Sequence, residues 1–330
     1  MLLNGSDPAA VREAAQALAA GELVALPTET VYGLGARADQ DAAVARIFAA
    51  KGRPSDHPLI VHVLDSADAE AFARELPPVA RRLMAAFWPG PLTVIVPRAP
   101  GMSAAAAGGQ DSVGLRCPAH PVARALLGEA RRLGVLGVAA PSANRFGKVS
   151  PTRAAHVQAE FGPELRVLDG GACAVGIESS IVDCSRGHPV LLRPGILTPA
   201  QIEAVAGEPL LQPDARAPRA SGTLAAHYAP AAVVRLLDTA TLTQALAQAL
   251  AQQQSPAGLA VYSRSLRPLA GPLWRVMPER AEAAAHELFA VLRELDTAGA
   301  REIWIEMPPP DSAWDGVRDR LSRAAAAFAS

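Results

Sequence analysis

In the stretch Leu23-Val24-Ala25-Leu26-Pro27-Thr28-Glu29-Thr30-Val31-Tyr32-Gly33-Leu34-Gly35, a short apolar run gives way to a polar turn and then to closely spaced glycines. Leu23–Leu26 reads as a strand, and Pro27 to Thr30 as the turn that ends it. Upstream, Asp7-Pro8 is an N-cap followed by proline at the first helical position. Val11, Ala14, Ala15 and Leu18 recur at helical spacing, and Gly21 supplies the stop. Downstream, a helix over about 40–51 ends with Lys51 before Gly52, and Leu59–Val63 is a strand. A helix near 78–87 and a strand at Leu92–Val96 follow, then strand 112–116, helix 121–131 and strand 135–140. Ser150-Pro151 predicts the start of another helix, and strands are expected at about 165–168, 179–184 and 189–193. Thr198-Pro199-Ala200-Gln201 is a capping box whose helix stops at Gly207. This alternation of helix and strand predicts a mixed α/β domain over 1–207.

Residues 208–230 change character. Glu208-Pro209, Gln212-Pro213-Asp214, Ala217-Pro218-Arg219 and Ser221-Gly222 are breaker signals without a sustained period, so the segment reads as a linker. Beyond it, strands at 232–237, 258–262, 273–277 and 302–307 alternate with helices at about 241–253, 279–297 and 313–328. They predict a smaller α/β domain over 231–330.

The 330 residues suffice for about two domains at the usual ~150 residues each, without disulfide staples. Half of them are hydrophobic and 19% are charged, a globular balance. With 31 basic against 32 acidic side chains, no global field draws the chain to nucleic acid or an anionic membrane, so an anion site must be built locally. The N-terminus has neither a basic nor an apolar leader region, and no stretch approaches 18 consecutive apolar residues. Cys117, Cys173 and Cys184 are odd in number and lack C-x-x-C spacing, which fits a reducing compartment. A cytoplasmic protein without a stable membrane association and without a protein-bound metal is the expectation.

Lysine occurs only at Lys51 and Lys148, so the other 29 basic residues are arginine. Lys51-Gly52-Arg53 sets a compact ammonium and a flat guanidinium one glycine apart, a pairing suited to phosphate or carboxylate; a lysine there also complements a helix C-terminus. Ser142-Ala143-Asn144 follows an apolar strand, where open α/β sheets place ligands, although Ser and Asn also simply favour turns. Arg116 and Arg193 each sit in an apolar run, where a guanidinium needs an ion pair or a ligand. His62 within Leu59–Val63 is by itself more in keeping with a satisfied sheet histidine. Ser179-Ser180 is either a polar strand start or a solvated edge. No G-x-x-x-x-G-K-[ST], complete dinucleotide fingerprint or G-x-S-x-G is present, so side-chain cations must hold any nucleotide, and a covalent nucleophile has no support.

Together these blocks carry a resemblance. Pro27 to Gly35, Lys51-x-Arg53 running into Pro58-Leu59-Ile60-Val61-His62, Ser142-x-Asn144, and Gly176-Ile177-Glu178-Ser179-Ser180-Ile181-Val182-Asp183 resemble the threonylcarbamoyl-AMP synthases. The likeness is strong over about 8–207 and looser beyond, as in the long two-domain form of that family. It implies a YrdC-like twisted mixed sheet with a basic cavity, plus a smaller Rossmann-like C-terminal domain. It also implies a nucleotidyltransferase that takes ATP, L-threonine and hydrogencarbonate, with magnesium on the nucleotide, to threonylcarbamoyl-AMP and pyrophosphate. A downstream threonylcarbamoyl transferase of tRNA modification would be its partner.

By motif position, the resemblance assigns Lys51 and Arg53 to catalysis, and Thr30, His62, Arg116, Ala140 and Ser179 to threonine. To ATP it assigns Arg53, His57, Ser112, Ser142, Asn144, Ser150, Arg193 and Tyr228. His57 stands where the family often has Asn. In the linker the family often has a Ser-Pro-Gly-Met-Lys-Tyr type of run before His-Tyr-Ala-Pro, whereas this chain reads Ala220-Ser221-Gly222-Thr223-Leu224-Ala225-Ala226-His227-Tyr228-Ala229-Pro230 and has no lysine there. The linker is expected to close over the cavity as a lid, with a passive tether as the alternative. The competing functions are an RNA-binding module, disfavoured by the neutral charge and 4% aromatic content, and a carbamoyl-transfer relative with another acceptor.

Overall fold

The computed structural model describes residues 1–251 and 258–328. They divide into two compact units: Met1–Phe146 with Ser150–Thr223, and Gly147–Val149 with the chain from Leu224 onward.

The first unit contains strands β1 (Leu2–Asn4), β2 (Val24–Leu26), β3 (Gly33–Arg37), β4 (Ile60–His62), β5 (Leu92–Pro97), β6 (Ser112–Arg116), β7 (Val138–Ala139), β8 (Arg166–Asp169), β9 (Ser180–Asp183) and β10 (Val190–Arg193). Its helices are α1 (Pro8–Ala19), α2 (Asp41–Lys51), α3 (Ser66–Glu70), α4 (Pro78–Phe87), α5 (Pro121–Arg132), α6 (Ala154–Phe161) and α7 (Pro199–Ala206). Among the described residues the strands form one ten-stranded mixed sheet in the order β1-β8-β2-β3-β7-β4-β6-β5-β9-β10. Helix starts follow the expected chemistry. Asp7 caps α1 by accepting from Ala9 N, and Thr198 and Gln201 complete the capping box of α7. Gly52 and Gly207 end α2 and α7 in the left-handed conformation, which glycine adopts without steric cost.

The two sheet faces have different fates. One row of alternate side chains, Val61, Leu115, Val113, Val94, Val96 and Val182, is buried in a core shared with Ile47, Phe48, Leu83 and Met84 of α2 and α4. A second core packs Val11 and Leu18 of α1 and Leu126 and Leu127 of α5 against Leu26 and Leu168. Each fully buried leucine of this kind contributes about 1.5–3 kcal/mol relative to exposure.

Some local expectations are corrected. The helix expected at Ser150-Pro151 begins instead at Ala154, with Arg153 as N-cap. The hydroxyl of Ser150 donates to the Glu178 carboxylate, and the carbonyl of Pro151 accepts from Tyr32 N, so tertiary partners claim the residues that would have formed the first turn. Gly33–Arg37 is a full strand despite its two glycines. A side chain at Gly35 would meet Val138 Cγ1 at 2.8 Å and Leu26 Cδ2 at 2.9 Å, so close packing demands glycine there. The strand expected over 135–140 is ladder-paired only at Val138–Ala139.

The second unit holds β11 (Val233–Leu237), α8 (Thr239–Ala251), β12 (Leu259–Ser263), β13 (Leu273–Val276), α9 (Ala281–Thr297), β14 (Glu302–Glu306) and α10 (Asp315–Ala326). Residues 252 and 253 of the helix expected over 241–253 lie outside the described residues. Among the described residues its four strands are all parallel, in the order β11-β14-β12-β13. Leu242 and Leu246 of α8 pack on Leu259, Val261 and Trp304 of this sheet. The fold is thus α/β throughout, a large mixed sheet in one unit and a small parallel one in the other.

Candidate active site

Strand alternation assembles the site. The face of β4, β6, β5, β9 and β10 opposite the valine-rich core carries Ile60 and His62, then Ser112, Gly114 and Arg116, then Thr93 and Ile95, with Ile181 and Arg193 beyond. His62 is directly opposite Arg116 in the β4–β6 ladder, and Arg193 opposite Ile181 in β9–β10. Ser179 leads into β9, and its hydroxyl lies 2.8 Å from that of Thr93.

The polar turn before β3 folds over this face. Arg116 donates from Nη1 to Thr30 Oγ1 at 2.8 Å and from Nε to the carbonyl of Gly90 at 3.3 Å. Its Nη2 lies 2.7 Å from Glu29 Oε1. Burial pushes the Glu29 carboxyl up, but Arg116 and the amides of Glu29 and Ala119 outweigh that and hold it below the usual range. His62 is only 3% exposed. Burial, and then the Arg116 charge, bring its pKa down to about 3, so it is neutral at ordinary pH, and Nδ1 has no hydrogen-bond partner among the described residues. At the far edge Arg193 donates from Nε and Nη2 to the carbonyl of Ser179 at 3.1 and 2.9 Å, and from Nη2 to its hydroxyl at 3.3 Å. Its Nη1 reaches the carbonyl of Ser221 at 2.7 Å.

A second group lies at the end of α2. Lys51 Nζ donates to the carbonyl of Ser142 at 2.7 Å and to that of Asn144, tying the K-x-R segment to the S-x-N turn. Desolvation, and then the neighbouring Arg53, push this ammonium well below the usual lysine range. Arg53 Nη2 donates to the carbonyl of Pro58 at 3.0 Å, and its guanidinium lies 5.7 Å from the Phe146 ring centre; His57 meets the same ring edge-on. Ala140, buried after β7, is anchored through its amide to the carbonyl of Ile60.

Between these groups Arg219, Ala220 and Ser221 roof a space lined by Ile60, Thr93, Ser112, Gly114 and Ile181, leaving a void of only ≈ 10 Å³. Gln110 and Arg219 exchange bonds in both directions, Arg219 N to Gln110 Oε1 at 2.7 Å and Gln110 Nε2 to Arg219 O at 3.2 Å. The Arg219 guanidinium adds Asp56 at 3.1 Å. The first half of the expected linker, through Thr223, therefore belongs to the first unit. Tyr228 belongs to the second, where its buried ring stacks on Phe289 at 5.4 Å under the Arg320 guanidinium.

The structure thus brings Thr30, His62, Arg116, Ser112, Ser179 and Arg193 to one sheet face and its covering turn. Lys51, Ser142 and Asn144 are bonded into one cluster, and Arg53 and His57 meet around Phe146. Glu29, Thr93, Gly114 and Ser221 were not singled out from the sequence. Glu29 lies inside the quoted turn, and Thr93 and Gly114 are on-face by period-two alternation, so the register of the strands was the missing information. Among the described residues no group of three or more His, Cys, Asp or Glu could hold a metal ion. The donors on this face are cations and hydroxyls, and the carboxylates on and beside it, Asp183, Glu29 and Glu178, are already bonded to Arg186, Arg116 and Ser150 respectively. That set does not fit a resident divalent cation. No described helix is long and apolar enough to cross a membrane.

An α/β fold with a cation-lined ligand face defines a class, and comparison with known proteins gives the family. The family model described as "Telomere recombination" matches residues 16–195, and that described as "Threonylcarbamoyl-AMP synthase, C-terminal domain" matches 197–326. The threonylcarbamoyl-AMP synthase of Bacillus subtilis is 38% identical over 332 residues, 98% of this chain and 94% of its own. That of Pyrococcus abyssi is 44% identical over 234 residues, 69% of this chain and 68% of its own. The crystal structure of P. abyssi Sua5 complexed with L-threonine matches with a TM-score of 0.89 at 35% identity, covering 99% of this chain and 98% of that one. The chain belongs to the threonylcarbamoyl-AMP synthase family.

Proposed function

We propose that the chain makes threonylcarbamoyl-AMP by nucleotidyl transfer. The product dictates its sources: a threonine, a carbonyl carbon and an adenylate. Threonine and hydrogencarbonate give the N-carboxylate and water. A carboxylate oxygen of that carbamate then bonds to the α-phosphorus of ATP as the bond to pyrophosphate breaks. The observation that carries this reading is the single sheet face on which Thr30–Arg116, His62 and Ser179–Arg193 come together.

Threonine occupies the end with Thr30, His62, Arg116, Ala140 and Ser179. Neutral His62 offers a hydrogen-bonding group without a charge, and Arg116 takes the amino-acid carboxylate. ATP lies toward Arg53, His57, Ser112, Ser142, Asn144, Ser150 and Arg193. Lys51 and Arg53 stabilise charge on the transferred phosphate, since positioned cations in a water-poor site act most strongly where charge develops. Magnesium arrives on the nucleotide's own phosphates.

Residues 208–230 serve as the lid between a catalytic domain over 1–207 and a C-terminal domain over 231–330. The docking of Arg219 on Asp56 and Gln110 supports a covering role for the first half, and exclusion of water suits a labile mixed anhydride. A contribution of Tyr228 to the nucleotide is part of this proposal. The enzyme works in the cytoplasm, in keeping with three buried free cysteines, and passes its product to a threonylcarbamoyl transferase acting on tRNA. Pyrophosphate release from ATP tests the reading: it should require both threonine and hydrogencarbonate, and release that persists without threonine would overturn it.

A further inference from the structure

Arg116 is only 3% exposed, and a guanidinium so buried needs a fixed counter-charge. Glu29 supplies it, itself only 8% exposed, with Oε1 2.7 Å from Nη2. The carboxylate is anchored from behind: Oε2 accepts from the amide of Ala119 at 3.1 Å, and the Glu29 carbonyl accepts from Val175 N at 2.7 Å. Guanidinium has five N–H donors. One from Nε goes to Gly90 and one from Nη1 to Thr30, and Nη2 is paired with the Glu29 carboxylate.

We infer that Glu29 is a positioning residue for the amino-acid end of the reaction: it holds the Arg116 guanidinium in place by charge. The inference rests on the proposed function and adds a residue to it.

Steady-state pyrophosphate release by the full chain tests it, using Glu29→Gln, Glu29→Asp, Arg116→Gln and the Glu29→Gln/Arg116→Gln double variant. Glu29→Gln should raise the KM for threonine by about tenfold or more, since small misplacement of a binding group is costly, and leave the KM for ATP and the pH profile of kcat unchanged. Glu29→Asp, which keeps the charge but withdraws it by one methylene, should raise the threonine KM less. The double variant should bind threonine no worse than Arg116→Gln alone, because a residue acting only through Arg116 has nothing left to position. Additive losses, an ATP KM rising in step, or an altered pH profile would overturn the inference. If Glu29→Gln does not fold, a wild-type threonine KM in Glu29→Asp overturns it equally. A wild-type chain without threonine-dependent release removes the proposed function and this inference together; an active wild type with an indifferent Glu29→Gln removes only the inference.

Discussion

At Lys51 a compact ammonium, 3% exposed, reaches the carbonyls of Ser142 and Asn144 from the last turn of α2. It both orders the S-x-N turn and places a cation beside Arg53. Lys51→Ala should lower threonine-dependent pyrophosphate release by about 10²–10³-fold, the usual scale for removing one charge-stabilising donor. Lys51→Arg should also be impaired, because the larger planar guanidinium does not fit the buried space that the compact ammonium fills. Wild-type turnover in Lys51→Ala would contradict the assignment. His62 carries a stability prediction. Its pKa of about 3 lies below the ordinary 6.5, so between those values the unfolded chain binds a proton that the folded chain does not. Stability should therefore fall as pH drops from about 6.5 toward 3, and His62→Gln should flatten that slope in urea melts taken across the window. Taken by itself the strand position suggested a satisfied sheet histidine, from which the unpartnered Nδ1 departs, whereas the family resemblance assigned His62 to threonine. Residue identity alone says neither how deeply the ring is buried nor which strand lies opposite, and burial first and the Arg116 charge second set this titration.

At the scale of elements, β6 is written Ser112-Val113-Gly114-Leu115-Arg116, with polar or absent side chains on the ligand face and apolar ones in the core. A Cβ at Gly114 would meet Thr93 Cγ2 at 3.4 Å and Ile60 Cγ1 at 3.7 Å, ordinary contact distances, so one added methyl fits the fold but fills the floor. Gly114→Ala should keep a wild-type melting temperature while raising substrate KM values; unchanged kinetics would place the substrates elsewhere. In the second unit the end of β14 offers a different case. Glu306 is 1% exposed and accepts from Ser263 Oγ, the amides of Arg264 and Ser265, Ser265 Oγ and Thr239 Oγ1. Burial pushes its pKa up, but the hydroxyls of Ser263, Ser265 and Thr239 and the Ser265 amide bring it down to about 2 from 4.5. Its stabilisation is present above about 4.5 and lost as pH falls toward 2, so Glu306→Gln should weaken the second unit at neutral pH and reduce its acid sensitivity in thermal melts. The long periodic helices and the capping box were legible because their signals are local. β3 and the start of α6 were not, since packing of Gly35 against Val138 and the bonds of Ser150 and Pro151 are tertiary facts.

For the whole molecule, order along the chain carried most of the reading. The Pro27–Gly35, Lys51-x-Arg53, Ser142-x-Asn144 and Gly176–Asp183 blocks are far apart in sequence, and the fold brings their side chains to one sheet face and the turns around it. The breaker-rich composition of 208–230 marked a connecting segment but could not say that Arg219 and Ser221 bond to Asp56, Gln110 and Arg193. If this segment is a lid, proteolysis within 208–230 should slow when ATP and threonine are both present; cleavage at the same rate would leave a tether. The central claim is that one face joins an amino acid, a one-carbon unit and an adenylate. Incubating the chain with ¹³C-hydrogencarbonate, threonine and ATP and resolving the products by mass spectrometry tests it directly. The account predicts a threonylcarbamoyl adenylate bearing one ¹³C at its carbamoyl carbon, matched by one pyrophosphate, and lost in Arg116→Gln; an adenylate without ¹³C, or pyrophosphate formed with no such product, would contradict it.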